Sequence, residues 1–139
     1  ATETCDAIFT NSVSPKIQKE STELKEAPKL FKANCRIDWT KDTLSIHNHI
    51  RGLSPYPIAW AIFVQANTED LIMKIHKSTH SVCEHDKQVS EIETSKTELK
   101  IYTQNGYISV LEIQTPGKKK MDIRSFLNGY NLSSETKAC

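Results

Sequence analysis

This 139-residue sequence predicts a mainly β domain with flanking helices. Three observations predict it. Short segments rich in aromatic and β-branched residues follow one another through the second half: AWAIFVQ (59–65), LIMKIHK (71–77), ELKIYTQ (98–104) and YISVLEIQ (107–114). Turn signals, Asn105-Gly106 and Pro116-Gly117, bound the last of them. Helical spacing is confined to stretches before and after this run. Four or more short strands, most in hairpin order, with a helix on either side, suit a small closed or nearly closed barrel. An OB-like β-barrel fits the size.

Each element has its own justification. Residues 2–11, TETCDAIFTN, read as a short amphipathic helix with acids in its first turns, but Ala7, Ile8 and Phe9 have nothing local to pack on. The helix is expected to be the last piece of a preceding domain. Residues 12–36 lack a clean period and are rich in Lys, Glu and Ser. They read as a linker, with Leu24, Leu30 and Phe31 lying on a neighbour. A second helix is expected from Thr40 as N-cap, with Asp42 in its first turn and Thr43, Ile46, Ile50 and Leu53 as its buried stripe. Gly52, Ser54 and Pro55 end it, and Trp60 is expected in the core.

In LIMKIHK, Leu71, Met73 and Ile75 fall on one face, and Ile72, Lys74 and His76 on the other. The stretch beyond it is expected to be an acidic loop. Asn105-Gly106 predicts a type I′ hairpin, which needs positive φ at both residues. MDIRSFLNGY (121–130) predicts a closing helix with Ile123, Phe126 and Leu127 inward and Gly129 near its C-cap. Residues 37–130 are thus the expected barrel domain, and 131–139 a frayed tail.

Composition narrows the partners only through its distribution. The hydrophobic share of 37% with 25% charged residues fits a soluble domain, and no apolar run approaches the ~20 residues of a membrane span. The first residues show neither a basic region nor an initiator Met, so a chain without a signal peptide, cut from something longer, is expected. Net charge is +1, yet residues 29–51 and 100–124 each carry five basic and two acidic residues, while 69–98 carries seven acidic and four basic. Two basic segments on one face would attract phosphate, and ordinary surface charge is the alternative. The four cysteines form no CxxC and read as reduced cytosolic thiols.

Candidate chemistry starts with HNHIRGLSPYPIAW (47–60). His47 and His49 lie two apart on a helix and cannot form a pair, and no carboxylate sits one turn from either. A polar helix face is their simpler role. Arg51 is the better phosphate ligand because it stays charged and forks, with a surface ion pair as its alternative. His76, His80, Cys83 and His85 are zinc-type ligands, but their spacing matches no standard structural site. Lys118, Lys119 and Lys120 follow a turn and can meet phosphates as point charges, or form a solvated run. GxGxxG, GxxxxGKS and GxSxG are absent, which disfavours nucleotide-cradle and serine-hydrolase chemistry. A binding module is favoured over a free-standing enzyme.

Three segments together resemble the C-terminal domain of the methionyl-tRNA formyltransferase family. They are IDWTKDTLSIHNHIRGLSPYPIAW (37–60), GYISVLEIQTPGKKKM (106–121) and FLNGY (126–130); APKL (27–30) resembles the family's linker. The resemblance implies a parent enzyme, cytoplasmic and without a membrane anchor. It would move a formyl group from 10-formyltetrahydrofolate to initiator methionyl-tRNA. Its chemistry would sit in an N-terminal Rossmann-like catalytic domain, so no catalytic residue is expected in this chain. The barrel would offer tRNA a basic surface, with Lys29 and Lys32 matching the linker, Arg51 the helix and Lys118 and Lys119 the G-K-K loop; Lys120 is an added charge. Two features depart from the pattern: Ile58 stands where the family commonly has Gly, and residues 66–98 lack its P-G-x-I turn. Sugar-nucleotide formyltransferases and formyltetrahydrofolate hydrolases can carry a similar barrel without a nucleic-acid role; G-K-K-M with L-N-G points to the tRNA enzyme.

Overall fold

A computed structural model describes residues 2–14, 16–17, 27–65, 69–133 and 135–139. Leu24 and the middle of the expected linker lie outside the described residues. Helix α1 (Thr2–Phe9) buries none of its side chains. A 3-10 turn at Lys32–Cys35 precedes helix α2 (Thr43–Leu53). Then follow β1 (Ala59–Val64), β2 (Leu71–Val82), β3 (Ile92–Thr94), β4 (Leu99–Thr103), β5 (Gly106–Gln114), β6 (Met121–Asp122), α3 (Ile123–Gly129) and β7 (Lys137–Ala138).

The strands run in the order β3-β4-β5-β2-β1-β7, all antiparallel, with β6 on β5. A bridge between Glu91 and Lys137 joins the two outer strands, so the barrel is nearly closed, as expected. Alternation fills its interior: Ala59, Ala61 and Phe63 from β1, Met73 and Ile75 from β2, Leu99 and Ile101 from β4, Ile108, Val110 and Ile113 from β5. The α2 stripe of Thr43, Ile46, Ile50 and Leu53 packs against them, and Ile123 and Phe126 of α3 complete the core.

Several expectations need correction. The cap of α2 is Asp42, which accepts the Ser45 N–H at 3.0 Å, while Thr40 donates both N–H and hydroxyl to Asp38. Residues 32–36 belong to the barrel rather than to a free linker: Cys35 is buried, and Arg36 bridges to Trp60. Trp60 is half-buried and faces outward, because its neighbours Ala59 and Ala61 take the inner face. The β2 strand runs on through Val82 instead of ending in a loop. One extra residue on each strand, His76 on β2 and Leu111 on β5, shifts the register, so that Ser78 points inward. The β4–β5 turn is Gln104-Asn105, not Asn105-Gly106: Thr103 pairs with Gly106, and Asn105 does not have positive φ. Gly106 is needed for room, since a Cβ there would overlap the Ser81 carbonyl oxygen. The tail is not frayed at its end: β7 pairs with β1, and Ala138 is fully buried.

Ile58 has φ of 77°, a conformation suited to glycine and strained for a β-branched residue. The backbone here thus keeps the form a glycine would take, and this sequence places isoleucine in it.

Candidate nucleic-acid interface

The outer face of β1 and β2 carries an aromatic centre ringed by cations. The Trp60 indole donates its N–H to the Lys32 carbonyl at 2.9 Å, which fixes the ring. Lys32 Nζ lies 5.8 Å from the ring centroid and Arg36 Cζ 5.7 Å, within range of a cation–π attraction. Lys74 is the cross-strand partner of Trp60. Trp60, Lys32 and Lys74 border an open cavity of about 470 Å³ that also takes in Ile58, Gln114 and the Pro116-Gly117 turn.

A second cleft, of about 440 Å³, is bordered by His47, Arg51, His76, Lys77 and Glu112. Gln114 connects the two. Its amide donates to the Lys118 carbonyl at 2.8 Å, which leaves its oxygen to accept the His76 Nε2–H at 3.1 Å. The loop at 118–120 is therefore tied through the Lys118 carbonyl to the residue that joins the two. Lys120 closes onto Glu112 at 2.8 Å, and this hydrogen-bonded ion pair holds the Glu112 carboxyl below its usual pKa. Lys118 sits 4.8 Å from the Tyr130 ring centroid and lowers the pKa of that phenol. Among the described residues neither Lys118, Lys119 nor Arg51 is ion-paired; Arg51 donates to Asn48 at 3.1 Å. Lys29 is exposed, 5.9 Å from the Phe31 ring centroid, and next to Leu30 at the rim of the first cavity.

The histidines have separate partners, although His47 and His76 both border the second cleft. His47 Nδ1 meets the Ser78 hydroxyl at 3.2 Å, and its ring lies 4.5 Å from that of His80. Burial, then the neighbouring His80 and Arg51, lower its pKa. His85 bonds the Thr103 carbonyl at 2.9 Å and packs on Tyr102, and Cys83 is exposed. The sequence cluster His76, His80, Cys83 and His85 is thus spread over separate partners, and no group of metal ligands assembles among the described residues.

Sequence reasoning missed Arg36, Lys74 and Gln114. Lys74 was legible as an outward residue of its strand, but its pairing with Trp60 depends on register. The description "formyl transferase, C-terminal domain" fits residues 29–131 of the chain, a stretch that takes in both cavities.

The chain belongs to the formyl transferase C-terminal domain family.

Similar proteins agree with that assignment. The chain is 41% identical over 140 residues to the methionyl-tRNA formyltransferase of Phocaeicola vulgatus, covering 97% of this chain and 43% of the relative. It is 41% identical over 135 residues to that of Flavobacterium johnsoniae, covering 97% and 42%. It is 44% identical over 131 residues to that of Flavobacterium psychrophilum, covering 94% and 41%. This formyl transferase C-terminal domain, with its preceding helix, therefore spans about two fifths of the length of the curated relatives it matches. Among its described residues no helix is long and apolar enough to cross a membrane.

Proposed function

We propose that this chain is the RNA-contacting C-terminal part of a cytoplasmic methionyl-tRNA formyltransferase. The parent enzyme transfers a formyl group from 10-formyltetrahydrofolate to initiator methionyl-tRNA, with the chemistry in an N-terminal catalytic domain. The observation that carries the reading is the linkage of the Trp60 cavity, with Lys32 and Lys74 on its border and Arg36 by the Trp60 ring, through Gln114 to the Lys118–Lys120 loop and the Arg51 cleft. An A-form acceptor arm is met mainly through phosphates and 2′-hydroxyls, which such a basic strip suits. The barrel then holds the 3′ end in place for the catalytic domain, an orientation effect. Lys29 extends the strip along the chain entering the barrel.

The test is binding of the 139-residue chain to tRNA over a range of salt. Affinity should fall log-linearly with salt, by roughly 0.7–0.9 per phosphate neutralised. A Lys118→Ala/Lys119→Ala/Lys120→Ala variant should bind more weakly with a shallower slope. Binding that stays flat with salt, or unchanged affinity in that variant, would favour a purely structural barrel.

A further inference from the structure

We infer that the cavity beside Trp60 is a stacking site for a single unpaired nucleotide of the bound RNA. The inference rests on the proposed RNA-binding function and adds the kind of nucleotide that is gripped. Its volume of about 470 Å³ lies in the range of small-ligand sites, too confined for a duplex but roomy for one base. One side is apolar and aromatic, with Trp60 half-buried, Ile72 beside it and Tyr56 86% exposed at the rim. The indole N–H is already satisfied by the Lys32 carbonyl, so the ring is held in place and offers its π-surface rather than a donor. Lys32 and Lys74 stand at the border with Gln114, and among the described residues that line the cavity none is acidic.

That combination is specific in chemistry. A phosphate-only contact needs the lysines but makes no use of a fixed aromatic ring. An apolar peptide would leave the two lysines unpaired over it. A nucleotide meets both demands: its base stacks on the indole and its phosphate meets Lys32 or Lys74. The positive charges beside the ring also favour an anionic ligand over a neutral one of the same shape.

The experiment uses the fluorescence of Trp60 itself. The chain has two tryptophans, and the other, Trp39, is buried at 3% exposure, so a Trp39→Phe variant isolates the site. The probes are a short single-stranded oligouridylate, which does not stack on itself, and an RNA duplex of equal length. The single strand should quench Trp60 emission saturably. Trp60→Leu should weaken oligouridylate binding about tenfold, in the range of one base–aromatic stack, while duplex affinity changes less than about twofold. Trp60→Phe should recover most of the loss. Absence of quenching, or equal weakening for duplex and single strand, overturns the stacking site; the quenching arm decides even where Trp60→Leu does not fold. If tRNA still binds with a salt slope in either case, the stacking site alone falls. A chain that binds no RNA at all overturns the proposed function with it.

Discussion

The side-chain oxygen of Asn105, in the β4–β5 turn, accepts the backbone N–H of Thr43 at 3.0 Å and its hydroxyl at 2.8 Å. A hairpin turn thus satisfies the first helical residue of α2 across 62 positions of sequence. Thr43 is fully buried, and its hydroxyl also lies 2.6 Å from that of Thr103. The Thr103 hydroxyl also reaches the Gly106 carbonyl at 3.0 Å, so the two hydroxyls share two protons among three contacts.

Removing the acceptor strands the Thr43 N–H, while the Thr43 hydroxyl can turn to Thr103. Asn105→Ala should therefore cost about 1–3 kcal/mol in urea denaturation. Asn105→Asp, which keeps an oxygen there, should lose less. Equal losses in the two variants would mean that the turn, not the bond, carries the stability.

Ile58 occupies a glycine conformation, with φ of 77°. At ordinary positions alanine is more stable than glycine by roughly 0.5–1 kcal/mol. The order should reverse here: Ile58→Gly should unfold at higher urea than Ile58→Ala, because both lose the same side-chain packing and only glycine sheds the strain.

The last residues act as a stave of the barrel. Cys139 exchanges both backbone hydrogen bonds with Ile62 at 2.7 Å, and the Ala138 N–H reaches Ser90 at 2.9 Å. Deleting residues 137–139 should expose the edge of β1 beside buried Phe63 and cost roughly 2–4 kcal/mol. Hydrogen exchange at the Ile62 amide should speed up most.

Glu112 neutralises Lys120 at the centre of the basic strip. Under the proposed function, Glu112→Gln should free that lysine, raise tRNA affinity about twofold or more and steepen the salt slope by about 0.7–0.9. Filter binding at several salt concentrations measures both. Lys120→Ala should correspondingly weaken tRNA binding less than Lys118→Ala or Lys119→Ala.

His47 is harder to protonate in the folded chain than in the unfolded one, through burial, His80 and Arg51. The unfolded state therefore takes up the proton first as pH falls below the ordinary imidazole value of about 6.5. Its contribution is fully present above that pH and is lost as the folded pKa is passed. The carboxylates whose pKa is lowered, Asp38, Asp42, Glu91, Glu112 and Asp122, lose their stabilisation only in more acid solution. Between pH 7.5 and 5.5, His47→Gln should show a smaller drop in unfolding free energy than the unsubstituted chain.

Local pattern accounts for much of what the sequence makes legible. Alternation identified the inner Met73 and Ile75 of β2, and the 3–4 spacing identified the whole buried stripe of α2. Both signals are properties of a few neighbouring residues, so they survive without knowledge of partners. The short strands β3, β6 and β7 carry too few residues to show alternation, and β7 exists only because β1 offers it an unpaired edge. The candidate site was half visible: Lys32, Arg51 and the lysines at 118–120 stand out by charge, whereas Arg36, Lys74 and Gln114 acquire meaning only beside Trp60.

By itself the sequence determined a small barrel with one amphipathic helix packed on it, and two basic segments, because periodicity and charge are written residue by residue. The tertiary structure alone decided the rest. It turned Trp60 outward beside Lys74, gave Asn105 to the start of α2, dispersed the histidine cluster and made the C-terminus a strand. Each of these depends on strand register and closure, which join residues far apart in the chain and leave no local trace.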